Sequence, residues 1–173
     1  MYQAIRKFLS RRKALFLRKR KFFWMVYQKN WMIDPATDKR AKYWKKCGAH
    51  IEGEINIGYD VYFDASNAQY IHIEDKVWIA SRSLILCHKR DMSDYCIGDD
   101  YNKLPYQHRD VILKKGCTIG MGSIIMPGVT IGEGSVIGVG SVVVKDIPAW
   151  SIATGNPAKV VRQIQPRNTS KEA

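Results

Sequence analysis

LKKGCT IGMGSI IMPGVT IGEGSV IGVGSV VVKDIP, residues 113–148, reads in sixes. The first position of each six is Leu113, Ile119, Ile125, Ile131, Ile137 and Val143, always branched and apolar. The fifth is Cys117, Ser123, Val129, Ser135, Ser141 and Ile147, mostly small, and glycine fills the second at Gly120, Gly132 and Gly138. A six-residue beat matches neither the roughly 3.6-residue period of a helix nor the simple alternation of a strand. Hexapeptide repeats build parallel β-helices, in which each unit supplies one short strand and one corner. The first residue is expected to point inward and stack on its equivalent one coil away. The glycines are expected where the backbone turns and a Cβ would clash.

The same beat runs upstream, with Ile51, Ile57 and Phe63 six apart and Ile73, Ile79 and Ile85 likewise, making twelve units with an apolar first position. Two units break the pattern at position five, at Asn67 and Lys89, and each precedes a slip in register. The first slip adds four residues before Ile73 and the second adds twenty-two before Leu113. A solenoid wall cannot absorb extra residues, so both must leave as corner loops. Insertions in repeat folds gather on one face, often the binding face. Residues 64–72 and 86–112 are therefore where chemistry is expected.

The charge is unevenly placed. Residues 1–46 hold 15 Lys/Arg against 2 Asp, whereas residues 47–173 hold 13 Lys/Arg against 14 Asp/Glu. Three parts follow: a basic helical segment over 1–46, a repeat domain over 47–165 with a loop insertion at about 88–110, and a flexible tail over 166–173. Within the first part, residues 2–33 interleave Ile5, Phe8, Leu9, Leu15 and Phe16 with arginines and lysines, then run into FFWMVY. A basic helix with bulky aromatics suits an anionic membrane surface. The alternative is a helix packed on the solenoid end or on a neighbouring subunit. No nucleic-acid-binding module accompanies the charge. Asp34-Pro35 breaks the segment, and residues 36–46 read as a second short helix or a linker. An open solenoid end needs a cap, which the N-terminal helices would supply at one end. Beyond Pro148 the sixes stop; Asn156-Pro157 is expected to open a short final helix, about 157–165, capping the other end.

Neither a cleaved leader nor a membrane span is evident, since no run approaches about 18 apolar residues. Cys47, Cys87, Cys96 and Cys117 form no C-x-x-C pair. That suits reduced thiols and a cytoplasmic protein, peripheral at the inner membrane face if the basic segment binds there. Of the four histidines, His88 stands where the wall strand ends and the longer excursion begins. An imidazole there suits general-base chemistry near neutral pH. A Cys87–His88 nucleophile pair is disfavoured, because adjacent residues on a strand face opposite ways. His72, His88 and His108 lack close metal-ligand spacing, so no metal is expected. Asp64, Asp91 and Asp94 are the acidic candidates. Asp64 takes a second position, where glycine is usual, and suits either orienting an imidazole, accepting from a substrate hydroxyl, or bonding its own turn. The repeat glycines are corner glycines and form no phosphate-binding loop.

With those residues in place, IGMGSIIMPGVTIGEGSVIGVGSVVVKDIPAWSIATGNPAKVVR closely resembles the C-terminal signature of the hexapeptide-repeat acetyltransferases. That group includes maltose and galactoside, xenobiotic and surface-polysaccharide acetyltransferases, and the likeness spans about residues 50–165. The resemblance implies an all-β core wound as a left-handed parallel β-helix, and a homotrimer with active sites between subunits. It implies direct transfer from acetyl-CoA to a sugar or lipid-linked sugar in surface-polysaccharide assembly. His88 matches the family's base, and Asp64 falls where an acceptor contact is usual. Met121, Val139, Val144 and Lys145 match positions lining the coenzyme arm, although Met121 and Val139 are bulkier than the residues usual there. Lys159 and Arg162 match a basic pair near the nucleotide phosphates. Asp91 and Tyr95, in the excursion, are expected to wall the acceptor pocket. Competing expectations are a small xenobiotic, amino acid or amino sugar as acceptor, and a non-catalytic β-helix scaffold.

Overall fold

The computed structural model describes residues 37–166. Helix α1 (Thr37–Lys46) leads into a spool of short parallel strands. The first coil is β1 (His50–Ile51), β2 (Asn56–Ile57) and β3 (Tyr62–Phe63), and the second is β4 (Ile71–Ile73), β5 (Trp78–Ile79) and β6 (Leu84–Ile85). The chain then leaves the wall as β7 (His88–Arg90) and β8 (Tyr106–His108), an antiparallel pair. It returns as β9 (Val111–Leu113), β10 (Thr118–Ile119) and β11 (Ile124–Ile125), followed by β12 (Thr130–Ile131), β13 (Val136–Ile137) and β14 (Val142–Val143). The last elements are β15 (Ser151–Gly155) and β16 (Ala158–Gln163).

Three faces result. The first stacks β1, β4, β9 and β12; the second stacks β2, β5, β10, β13, β15 and β16; the third stacks β3, β6, β11 and β14. The register is the one the six-residue beat demands. Ile51 lies opposite Ile73, Ile73 opposite Leu113, and Leu113 opposite Ile131. On the third face Phe63, Ile85, Ile125 and Val143 form the equivalent column. Both slips are thus absorbed outside the wall, and the pairing across them is unbroken.

All twelve first-position side chains are buried. Burying a branched aliphatic side chain contributes about 1.5–3 kcal/mol, so these columns dominate the core. The small fifth positions share the interior. There the serines satisfy their hydroxyls on corner carbonyls: Ser123 Oγ donates to Gly138 O at 3.0 Å, and Ser83 Oγ donates to Ala80 O at 2.9 Å and to Gly120 O at 3.0 Å. A buried hydroxyl without such a partner would be costly. Second-position glycines are required by close approach between coils. A Cβ on Gly132 would lie 2.3 Å from Ala149 N, and one on Gly120 would lie 2.5 Å from Ile137 O.

The expected short helix before the repeats is α1, and it covers the start of the spool. Trp44 is only 2% exposed and stacks on Phe63 with ring centroids 4.2 Å apart. Arg40 Nε donates to Ile57 O at 2.6 Å. The helix expected over 2–33 lies outside the described residues, as does the tail beyond Pro166.

The expected C-terminal helix is not formed. Residues 158–163 are β16, which runs antiparallel to β15. The physical reason is the open edge that β15 would otherwise present after pairing with β13. A hairpin satisfies that edge, and the β-branched pair Val160–Val161 favours an extended backbone. Helical spacing of Val160, Val161 and Ile164 was too short a pattern to outweigh it. Among the described residues, no helix is long and apolar enough to cross a membrane.

Candidate active site

Both insertions leave the spool at one corner, between the third and first faces. The shorter becomes a 3-10 turn, Ala65–Tyr70, directly after Asp64. The longer begins after β6, and its two ends pair as β7 and β8. The four-residue slip and the twenty-two-residue slip thus build one site from both sides.

At its centre, His88 Nδ1 bonds Asp64 Oδ2. The Asp64 side chain is 7% exposed and that of His88 is 34% exposed. The same carboxylate oxygen accepts from Asn67 Nδ2 at 2.9 Å and from Cys87 Sγ at 3.5 Å. Burial pushes the Asp64 carboxyl pKa up. Hydrogen bonds from Asn67 and His88, with the charge of His88, outweigh burial and hold it below its ordinary value. Asp64 is thus an ionised acceptor that fixes one face of the imidazole. Nε2 of His88 bonds no described residue and is the nitrogen left for chemistry.

This placement sets the Asp64 carboxylate against the imidazole through Oδ2. The signal in the sequence was its unusual place, a carboxylate where glycine is common, just before a slip.

Cys87 is fully buried. Its thiol also donates to Asn67 O at 3.2 Å. Burial first, and then the Asp64 charge, push it up to about 12. A thiolate is therefore disfavoured, although the Cys87 and His88 side chains do not diverge as strand alternation led one to expect: Cys87 lies between β6 and β7, and both side chains reach Asp64 Oδ2. All four cysteines are free.

Other candidates are distributed as follows. His108 lies opposite His88 in the β7–β8 pair, with ring centroids 6.1 Å apart, and stacks on Tyr70 at 5.3 Å. His72 stands on the first face, 3.3 Å from Asp110 and stacked on His50. Among the described residues, no three His, Cys, Asp or Glu side chains converge as ligands for a metal. Asp91 closes its own turn, accepting from Ser93 N at 3.1 Å and Ser93 Oγ at 2.9 Å. Those bonds hold its carboxyl below the ordinary value. Tyr95 meets Tyr101 edge to face at 6.3 Å. Neither Asp91 nor Tyr95 shares a hydrogen bond or a ring contact with His88. The residues that do adjoin it, Tyr106 and His108, come from the return strand of the excursion. The alternation of a strand would have found them only after its register with β7 was known.

The residues matched to a coenzyme arm fall on two corners of the spool. Met121 and Val139 follow β10 and β13 and stack as equivalents, with Gly140 N donating to Met121 O at 2.8 Å. Val144 and Lys145 follow β14 at the corner that also carries Asp64 and His88. Lys159 and Arg162 stand on β16. Val139 is 74% exposed, and Met121 and Val144 are also exposed. Lys145, Lys159 and Arg162 form no ion pair among the described residues. Exposed apolar corners and uncommitted cations fit a long chain that ends in phosphates.

Comparison with known proteins agrees with this architecture. Residues 110–145 match the family described as bacterial transferase hexapeptide (six repeats). A Staphylococcus aureus (strain MRSA252) protein named an acetyltransferase is 44% identical over 69 residues, 35% of this chain and 35% of its own length. The match thus spans about a third of the curated relative. A maltose O-acetyltransferase from Clostridium difficile 630 superposes with a TM-score of 0.62 at 24% identity, covering 88% of this chain and 89% of that one. AntD, a Bacillus cereus N-acyltransferase in complex with dTDP and 3-hydroxybutyryl-CoA, superposes with a TM-score of 0.50 at 27% identity, covering 68% and 67%. By its repeat, its column register and these likenesses, the chain is similar to the hexapeptide-repeat transferases over its C-terminal coils and winds as a left-handed parallel β-helix.

Proposed function

We propose that this protein is an acetyltransferase that moves an acetyl group from acetyl-CoA to a hydroxyl or amine of a sugar. The observation that carries the reading is the Asp64–His88 pair, held at the one corner where both insertions leave the coil. Asp64 fixes the tautomer with the proton on Nδ1. Nε2 is then a base, able to take the proton of the acceptor as that group attacks. Such catalysis contributes about 10²–10⁴-fold. Juxtaposing two bound reactants supplies about 7–11 kcal/mol of the barrier reduction.

Acetyl-CoA supplies the activated acetyl group. Met121, Val139 and Val144 would flank its arm, with Lys145, Lys159 and Arg162 toward its phosphates. Because these residues occupy two corners, one chain's His88 corner and a neighbour's Met121–Val139 corner would together complete a site. This supports a homotrimer; a solution mass of one chain would remove it. Acceptor-dependent release of the CoA thiol tests the activity, and a protein that binds acetyl-CoA but transfers to no carbohydrate would refute it. Replacing Lys159 and Arg162 together with glutamine should raise KM for acetyl-CoA about tenfold or more, since each charge-assisted bond is worth about 1.5–3 kcal/mol. An unchanged KM would take both residues out of the coenzyme site.

The pathway reading is surface-polysaccharide assembly at the cytoplasmic side of the membrane. It rests on the basic character of residues 1–46 and on a sugar acceptor. The full chain should sediment with anionic liposomes in low salt and lose that property when residues 1–33 are removed. Equal sedimentation of both would leave the basic segment without a membrane role.

A further inference from the structure

Strand alternation sorts the excursion into two faces. His88 and Arg90 project from one face of β7, and their cross-strand partners His108 and Tyr106 project from the same face of β8. Lys89 and its partner Gln107 belong to the other. The ring contacts agree. The His88 ring meets the edge of Tyr106 with centroids 5.3 Å apart, and the Arg90 guanidinium lies 3.9 Å from the centroid of the same ring. Arg90 also lies 5.8 Å from the Tyr101 ring and donates from Nη1 to Leu104 O.

Arg90 is therefore half-buried, stacked and tethered, but it has no carboxylate partner among the described residues. Its neighbour Asp91 is committed to Ser93. A guanidinium held in one plane with its remaining N–H edge uncommitted is arranged for a planar or tetrahedral oxyanion, bound in bidentate fashion. The stacking holds it in place at low entropic cost and leaves its charge unneutralised. This cation and the imidazole share one phenol ring, Tyr106, so both reach the same stretch of surface, and an aromatic ring there suits stacking against sugar C–H groups.

We infer that Arg90 binds a phosphoryl group attached to the acceptor sugar, so that the acceptor is a phosphorylated sugar held between Arg90 and His88 across Tyr106. This rests on the reading of His88 as the base and adds the acceptor's charge. The phosphoryl group has three sources of one chemistry: a sugar 1-phosphate, a nucleoside diphosphate sugar, or a lipid diphosphate sugar.

The test uses the full chain with acetyl-CoA and a panel of hexoses and hexosamines. Each is offered free, as the 1-phosphate, as the UDP or dTDP conjugate, and as an undecaprenyl diphosphate conjugate in detergent. The phosphorylated forms should exceed the free sugar at least tenfold in kcat/KM, and the best form identifies the source. Arg90→Gln should collapse that ratio at least tenfold, chiefly through KM, with Arg90→Lys falling between. A ratio near one in the wild type, or a ratio that survives Arg90→Gln, overturns the inference. Should no panel sugar accept acetyl, titration with UDP and with pyrophosphate after saturation with CoA decides it. Binding at least tenfold weaker in Arg90→Gln supports the site, and equal binding removes it. CoA saturation keeps the coenzyme's own phosphate contacts out of this comparison. CoA binding by each variant reports whether the coils remain wound. Failure of the acetyltransferase reading itself would appear separately, as absent CoA binding or absent thiol release in the wild type.

Discussion

Replacing His88 with alanine should lower the acceptor-dependent rate of CoA thiol release by at least about 10²-fold, up to about 10⁴-fold. The loss should fall on kcat, because His88 is placed to act on the acceptor proton and the coenzyme contacts lie elsewhere along the coils. The fold should survive. His88 is partly exposed and stands outside the wall, where β7 has already left the stacked columns. What the substitution removes is a base, together with one bond to Asp64. The measurement is steady-state kinetics at saturating acetyl-CoA, accompanied by CoA affinity from titration. A variant that retains the wild-type acceptor-dependent rate would remove the imidazole from the mechanism. A variant that loses CoA affinity as well would mean that the excursion shapes the coenzyme groove.

Asp64→Asn should produce the second large effect, about 10²-fold or more in kcat with little change in coenzyme affinity. The carboxylate of a hydrolytic triad acts the same way, fixing the tautomer and steadying the imidazole as it gains charge. An amide oxygen set where Oδ2 sits could accept the same bonds, but the neutral amide lacks the charge that steadies the imidazole as it gains a proton. The pH response separates the orienting role from a titrating one. Against the upward push of burial, hydrogen bonds from Asn67 and His88, with the His88 charge, hold the Asp64 carboxyl below its ordinary value in the folded chain. A carboxyl lowered in this way contributes stability above its unfolded value and loses it only as pH falls through the folded one. Wild type should therefore lose stability below about pH 5 more steeply than Asp64→Asn. A stability difference that changes between neutral and alkaline pH would show that some other group is coupled to this site.

The two effects together locate what was readable before the chain was folded. Twelve apolar first positions and the small fifth positions dictated the coil, because a residue repeated every six positions can be buried only if the backbone returns it to the same place at each turn. The slips at Asn67 and Lys89 located the site for the same reason: a wall of paired strands expels whatever does not fit its period. His88 stood out as a titratable group at the mouth of the larger expulsion.

The partnerships were another matter. That both excursions leave from one corner, that Asp64 turns in to hold His88, and that Arg90 shares a ring with it all follow from which strand lies opposite which. The pairing of His88 with His108 closes a loop whose own sequence has no periodicity to announce a register. The final segment went the same way. Val160, Val161 and Ile164 read as one side of a short helix, but the open edge of β15 made an added strand the better way to satisfy backbone hydrogen bonds. Local pattern determined what the chain repeats and where it breaks. Tertiary structure alone decided what meets at the breaks, since those contacts depend on backbone groups and edges that no side-chain pattern records.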